Sequence, residues 1–154
     1  DEVVLGGVPL TIVEHHPDRL VVTAEGTPGA PVASGTALSA GEHPLVVRRQ
    51  LSPTRTRSSN LLAARLLPTC ASASVAAGNL VLTGLLLGND ADDVVVSLYR
   101  DGRTARLFDV VSTTAAQQTL TVPGIAAAVP AGTYRAILRV NNQQAKSSPS
   151  IVLP

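Results

Sequence analysis

Aromatic residues are scarce in this sequence, and their scarcity excludes several kinds of binding surface. Tyr99, Tyr134 and Phe108 are the whole aromatic content of 2%, and tryptophan is absent. Surfaces that stack on sugar rings or nucleic-acid bases need flat aromatic faces. The net charge of +1 provides no field to attract nucleic acid or an anionic membrane. We therefore expect no nucleic acid, membrane or small-molecule substrate among the partners.

Cysteine is nearly absent as well. Cys70 is the single cysteine, so an internal disulfide and a paired-cysteine zinc site are both excluded. A lone cysteine among Thr and Ala is typical of a buried small thiol. A single cysteine does not decide whether the protein is in an oxidising or a reducing compartment, although it slightly favours the cytosol. Asn79 to Gly88 is apolar but falls short of the roughly 18 residues that a membrane-spanning helix needs.

What the sequence does contain is aliphatic residues in alternating patterns. Of its 154 residues, 45% are hydrophobic and 15% charged, which predicts a packed core. Gly and Pro interrupt short runs rich in Val, Leu and Thr, as in an antiparallel sandwich or barrel. The predicted strands lie within residues 19–26, 43–51, 79–87, 92–100, 117–124, 133–142 and 150–154.

Local signals refine this prediction. Asp101-Gly102 is a strong hairpin signal, since both residues accept positive φ, and Asn141-Asn142 is a weaker one. Residues 58–68 suit a short helix that begins at a Ser cap, but the repeat described next favours a strand. Residues 124–132 could hold one helical turn before Pro130, and residues 25–36 read as a loop.

The sequence contains an internal repeat. "AGEHPLVVRR" from Ala40 matches "AGTYRAILRV" from Ala131, and each copy ends in Leu-Pro, at Pro68 and Pro154. Upstream, "LVVTAEG" matches "TLTVPG" and "DEVVLGG" matches "DVVVSLYRDG". We therefore predict two domains, residues 1–68 and 69–154.

The two predicted domains are unequal. The second begins with about two strands before its "DDVVV" run, whereas nothing precedes "DEVVLGG" in the first. A sandwich without those strands would expose apolar sheet surface and unpaired backbone edges. We expect either that the polypeptide continues upstream or that another segment fills the gap.

The second unit resembles the IPT/TIG family of immunoglobulin-like domains. The resemblance rests on "GNLVLTGLLLG", the "DG" turn, "QTLTVP" and "AGTYRAILRVNN". It covers nearly all of residues 67–154, but the first unit only from its third strand onward. It implies an all-β fold of two tandem immunoglobulin-like sandwiches, the first lacking its N-terminal strands, and it implies little about function.

Five residues are assigned structural roles. Tyr134 follows the "AG" corner at Gly132 and suits a tyrosine corner, in which the hydroxyl bonds back to a nearby carbonyl. His43 holds the matching place in the first unit. Gly84 lies in the leading "LTG" strand and Gly102 in the hairpin turn.

The segment "AGEHPLVVRRQLSPTRTRSSNLL" points to a narrower group of proteins. It is similar to the immunoglobulin-like regions appended to cap, or tail-terminator, proteins of contractile injection systems, which are phage-tail-like sheathed tubes. The cap domain itself is not in this sequence. The resemblance implies bacterial cytoplasm or an assembled particle as the location, with a secreted or surface location left open.

The sequence gives only weak evidence for a metal-binding, nucleic-acid-binding or catalytic site. His15 and His16, with Glu14 and Asp18 nearby, could suggest a metal site. Adjacent residues on a strand point to opposite faces, however, so the two histidines cannot bind one ion from an extended segment. This run therefore favours a solvated turn. Asp90, Asp92 and Asp93 match no calcium-loop spacing. The basic residues 48–57 lack aromatics and favour a polar hairpin, with residues 52–58 as a loop. No nucleophile elbow or phosphate loop is present.

We therefore predict a protein that is not an enzyme and takes no cofactor and no metal. Its expected role is a structural or interaction module of a phage-tail-like particle, with protein partners: other particle subunits, or a second copy through β-edge pairing. The alternatives are a secreted or surface adhesion module that binds carbohydrate or a protein partner, and an accessory domain of a glycoside-degrading enzyme.

Overall fold

The chain is an all-β protein, as predicted. The computed structural model describes residues 1–23, 38–112 and 116–154, so the predicted loop at residues 25–36 lies outside the described residues. Within these ranges it has fourteen strands and one four-residue helix, α1 (Ile125–Ala128). None of the helices in the described ranges is long and apolar enough to cross a membrane.

Two compact units divide the chain. Unit 1 holds Asp1–Leu38 and Glu42–Arg65, and unit 2 holds Ser39–Gly41 and Leu66–Pro154. The final division, between residues 65 and 66, lies close to the predicted domain boundary at Pro68. The short segment Ser39–Gly41 was not predicted to belong to the second unit.

The described part of unit 1 forms one sheet. Its strand order is β3-β2-β1-β4-β5, and β6 also pairs with β4. The strands are β1 (Glu2–Leu5), β2 (Val8–His15), β3 (Leu20–Thr23), β4 (Gly41–Ser52), β5 (Arg55–Ser58) and β6 (Leu62–Leu66).

Aliphatic pairing between β1 and β4 forms the centre of this sheet. Val3 lies opposite Val47, and Leu5 lies opposite Leu45. Both β1 residues are buried. Because side chains alternate along a strand, these four residues share one side of the sheet. Branched aliphatic residues at paired positions stabilise such strands.

The C-terminal strands of unit 1 give one confirmation and one correction. Residues 58–68 contain the strand β6 rather than a helix, as predicted. The loop predicted at residues 52–58 is wrong, because Arg55–Ser58 is the strand β5. Arg57 of β5 lies opposite Arg49 of β4. The polar residues of this segment therefore extend a hairpin whose side chains are exposed.

Unit 2 contains two antiparallel sheets. One has the order β11-β8-β7, and the other has the order β10-β9-β12-β13 with β14 also paired to β12. The strands are β7 (Thr69–Ala76), β8 (Asn79–Leu85), β9 (Val94–Arg100), β10 (Arg103–Val110), β11 (Thr119–Val122), β12 (Gly132–Val140), β13 (Gln143–Gln144) and β14 (Ser150–Leu153).

Side chains from both sheets of unit 2 meet in one aliphatic core, which makes its architecture sandwich-like. The alternating residues of β8, β9, β11 and β12 point inward, and most of them are fully buried. The inward side chains are Leu80, Leu82, Val94, Val96, Leu98, Leu120, Val122, Tyr134, Ala136, Leu138 and Val140. The helix α1 adds Ile125 to this core.

The sheet of unit 1 repeats the pairing pattern of the five-stranded sheet of unit 2. The order β2-β1-β4-β5, with β6 on β4, matches β10-β9-β12-β13, with β14 on β12. The sequence repeat equates Val47 with Leu138. Because Val3 lies opposite Val47 and Val96 lies opposite Leu138, Val3 corresponds to Val96.

The two units differ at β3. The repeat equates β3 with β11, yet β3 pairs with β2, whereas β11 pairs with β8. The described part of unit 1 has no counterpart of β7 or β8. Since the backbone groups of β3 lack a β8 equivalent to bond to, they pair with the neighbouring β2 instead.

In both units, two-residue turns connect the two strands of each of these hairpins. Asp101 and Gly102 link β9 to β10, and Asn141 and Asn142 link β12 to β13, all with positive φ. Such turns match the right-handed twist of the paired strands. The Gly6-Gly7 turn joins β1 to β2 in the same way.

Gly84 is required by a close approach between β8 and β7. A Cβ atom at Gly84 would lie 1.8 Å from the carbonyl oxygen of Thr69. The register shifts here between Cys70 and Ser72, which is the bulge that brings the two backbones together. Any side chain at this position would have to push backbone atoms apart.

We predict that Gly84→Ala destabilises unit 2 by about 2–3 kcal/mol, the usual effect of a forced backbone shift in a well-packed region. Chemical denaturation followed by circular dichroism measures the change. Ser74→Ala, on the exposed side of β7, is the matched control and should leave the unfolding midpoint in place. Equal midpoints for Gly84→Ala and the original chain would contradict the assignment.

Candidate interaction surface

Tyr134 fastens the corner that precedes β12. Its hydroxyl donates a hydrogen bond to the carbonyl oxygen of Pro130 at 2.8 Å, and its ring is buried. This is the backward bond of a tyrosine corner. The guanidinium of Arg100 lies over the ring, 5.5 Å from its centroid, and donates to the carbonyl of Ala131. The residue has a structural position, because its ring belongs to the hydrophobic core.

Gly132 and His43, two of the other predicted structural residues, lie near the starts of β12 and β4. Gly132 has φ +146, and a Cβ atom there would lie 2.2 Å from the Arg100 guanidinium. His43 is half-buried, and its ring lies so close to Gly6 that a Cβ atom on that glycine would be 2.8 Å from Nδ1. Its proposed hydrogen-bonding role in a corner stays a prediction.

We predict that Tyr134→Phe lowers the stability of unit 2 by about 1 kcal/mol, because it leaves the Pro130 carbonyl without its partner while keeping the ring. Thermal unfolding measures the loss. Tyr99→Phe, the same chemical change on the adjacent strand β9, is the control. A Tyr134→Phe variant that melts with the Tyr99→Phe variant would refute the corner bond.

The acidic loop at residues 88–93 is held together by its own hydrogen bonds. One carboxylate oxygen of Asp92 accepts from the Asn89 backbone N–H at 2.9 Å, and the other accepts from the Asn141 side-chain amide at 2.8 Å. The same amide donates to the Ala40 carbonyl, and Asn89 donates to the Ser39 hydroxyl. Asp92 therefore links the loop to the turn after β12, and the side chains of Asn89 and Asn141 link both to the segment Ser39–Gly41.

We predict that Asp92→Ala destabilises unit 2 by about 2 kcal/mol, since two partly buried donors lose their acceptor. The exposed neighbour provides a control, because Asp90→Ala should change the unfolding free energy by less than about 0.5 kcal/mol. Millimolar calcium should leave both melting temperatures unchanged. A saturable rise with calcium that Asp92→Ala abolishes would show instead that the loop is a cation site.

The histidines and the cysteine that were candidates for a metal or catalytic site do not come together in the structure. His15 Nε2 lies 3.0 Å from an Asp1 carboxylate oxygen, whereas His16 Nε2 lies 2.8 Å from Glu14. The two rings therefore serve different carboxylates. Among the described residues, no group of three His, Cys, Asp or Glu side chains is arranged to hold a metal ion. Cys70 is buried, and burial raises the pKa of its thiol.

The most distinctive surface is one side of the unit 1 sheet, which we call the open face. It bears a shallow cavity of about 420 Å³. Five aliphatic side chains from three strands of the sheet line it. They are Val3, Leu20, Val22, Leu45 and Val47. In the described part of unit 1, all strands belong to one sheet, so no second sheet covers this side.

A polar cluster borders the open face. The Asp1 carboxylate, whose side chain is only 10% exposed, accepts from Arg49 Nε at 2.8 Å and lies 3.0 Å from His15 Nε2. These three residues come from the chain start, β2 and β4, and all line the cavity. The carboxylate is therefore already partnered, which leaves the aliphatic floor as the distinctive feature of the face.

The corresponding side in unit 2 is fully covered. Val96 and Leu98 of β9 and Ala136 and Leu138 of β12 have no exposed surface. They pack against Leu80, Leu82, Leu120 and Val122 of the three-stranded sheet. On the open face, Val3 and Leu5 at its centre are buried, but Leu20, Val22, Leu45 and Val47 around them are only half-buried.

The sequence predicts exposed apolar sheet surface in the first domain, but it does not predict the polar cluster at the border of that surface. Asp1, His15 and Arg49 are far apart in sequence and meet only through the pairing of β2 and β4 with β1. The sequence signal for the exposed surface is that the first repeat contains fewer predicted strands than the second.

Comparison of the sequence with models of protein families and with curated proteins gives no match.

Proposed function

We propose that this chain is a non-catalytic interaction module made of two immunoglobulin-like sandwiches, the first of them incomplete. The observation that carries this proposal is the open face of unit 1. An aliphatic sheet side whose counterpart in unit 2 is completely covered is suited to binding another protein surface.

The immunoglobulin-like assignment rests on topology and on the corner. In unit 2, a three-stranded and a five-stranded antiparallel sheet enclose one core, as in sandwiches of this class. Tyr134 and its bond to the Pro130 carbonyl stand at the start of β12, the position of a tyrosine corner. The matching strand order in unit 1 supports descent of both units from one duplicated domain.

The parent assembly that we propose is a phage-tail-like contractile particle. The support is the resemblance of residues 40–62 to the appended regions of tube-cap proteins. In such a setting, the partners are other particle subunits, and the aliphatic open face suits a contact that stays buried after assembly. The few aromatic residues argue against the sugar-binding alternative.

The matched variants Val22→Arg and Val21→Arg test this proposal. Val22 lines the open face, whereas Val21 precedes it on β3 and points to the other side of the sheet. The tagged full-length protein would be expressed in its native organism and the lysate centrifuged through a sucrose gradient. We expect the original protein and Val21→Arg to sediment with sheathed tubes, and Val22→Arg to remain mostly unsedimented.

Circular dichroism and thermal melting of both variants provide the folding control, with similar spectra expected for the two. An original protein that stays at the top of the gradient, apart from tube subunits, would contradict the particle assignment. Recovery at the cell surface would favour the adhesion alternative. Equal sedimentation of Val22→Arg and Val21→Arg would remove the open face from the contact.

A further inference from the structure

The repeat within this chain indicates what kind of structure fits the open face. Val47 corresponds to Leu138 by sequence, and the strand registers then equate Val3 with Val96 and Leu5 with Leu98. The open face therefore corresponds to the side of the five-stranded sheet that points into the core of unit 2. Whatever covers that side in unit 2 is a guide to the ligand of unit 1.

In unit 2, the hairpin formed by β7 and β8 supplies two of the three strands of the covering sheet, and β11 supplies the third. Leu80 and Leu82 of β8 have no exposed surface, and Cys70 of β7 is buried with them. Ala73 and Val75 of β7 are partly buried and pack against the same core. One layer of alternating aliphatic side chains thus closes the core from the opposite side.

The ligand has to contain strands that are already hydrogen-bonded to each other. A single extended segment laid on a sheet face would bury backbone N–H and C=O groups without partners. In unit 2, β8 avoids this by pairing with β7 on one side and β11 on the other. In unit 1, β3, the counterpart of β11, is already paired with β2. A hairpin satisfies its internal backbone groups without help from β3.

We infer that the open face of unit 1 binds an antiparallel β-hairpin with aliphatic side chains alternating along its strands, of the type formed by β7 and β8. This inference rests on the proposed function, because it names the partner chemistry of the same face. The hairpin packs against the face of the sheet and forms no added strand at its edge strands, β3, β5 and β6.

The chain itself provides the probe, a peptide of residues 69–85. Thr69 lies opposite Leu85 in the β7–β8 register, so joining the two ends through a short linker closes a ring without changing the hairpin. Cyclisation is needed because an isolated two-stranded hairpin is only marginally stable in water. The control peptide carries Leu80→Ser and Leu82→Ser, which keeps the strands and turn and removes the aliphatic side chains.

Binding of the cyclic peptide to the full isotope-labelled chain would be followed by amide chemical shifts in NMR under reducing conditions. We expect saturable shifts at Val3, Val22 and Val47, with binding about tenfold or more weaker for the serine peptide. The Val22→Arg chain should lose these shifts, and Val21→Arg should keep them.

Several results would overturn the inference. These are no saturable binding at millimolar peptide, equal binding of the serine peptide, and shifts confined to the edge strands β3, β5 and β6. Sedimentation equilibrium of the peptide-free chain adds a fourth, because a dimer that Val22→Arg dissociates would assign the face to a second copy. If Val22→Arg leaves the particle while the peptide fails to bind, the interaction function stands and only the hairpin is wrong.

Discussion

The structure depends on one constraint, that the aliphatic side of an antiparallel sheet has to be removed from water. In unit 2, β9 and β12 present a continuous aliphatic surface, and β8 and β11 cover it with a second layer. Each square ångström of apolar surface buried in this way contributes roughly 25 cal/mol. With so few aromatic residues, the core relies on many small contributions from Val, Leu and Ala. A gap in either layer therefore exposes a large share of the core.

Polar groups secure the ends of that two-layered core. The Tyr134 hydroxyl ties the corner before β12 to Pro130, and the Asp92 carboxylate ties the loop before β9 to the turn after β12. Both bonds lie where the chain changes direction, where backbone groups lack strand partners. The aliphatic layers determine which strands face each other, and these bonds limit how far the strand ends can move.

Much of this architecture could be predicted from the sequence, because period-two alternation and left-handed turn residues are local signals. The strands β4, β8, β9 and β12 and the turn at Asp101-Gly102 are examples. The predicted loop at residues 52–58 was wrong because polar, arginine-rich residues are read as solvated, although an exposed edge hairpin tolerates them equally well. The pairing of β3 with β2 could not be predicted, since a strand's partner depends on which other strands exist. The cluster of Asp1, His15 and Arg49 arises in the same non-local way.

The segment Ser39–Gly41 makes unit 2 discontinuous in sequence. The Ala40 side chain is buried in its core, and the Ala40 carbonyl accepts the amide of Asn141. A recombinant fragment that begins at Leu66 would thus lack three residues that complete it, leaving a small apolar hole and an amide donor facing solvent. Protease sites, fusion points and expression boundaries chosen at the apparent linker would cut the linear sequence cleanly and still remove part of the folded body.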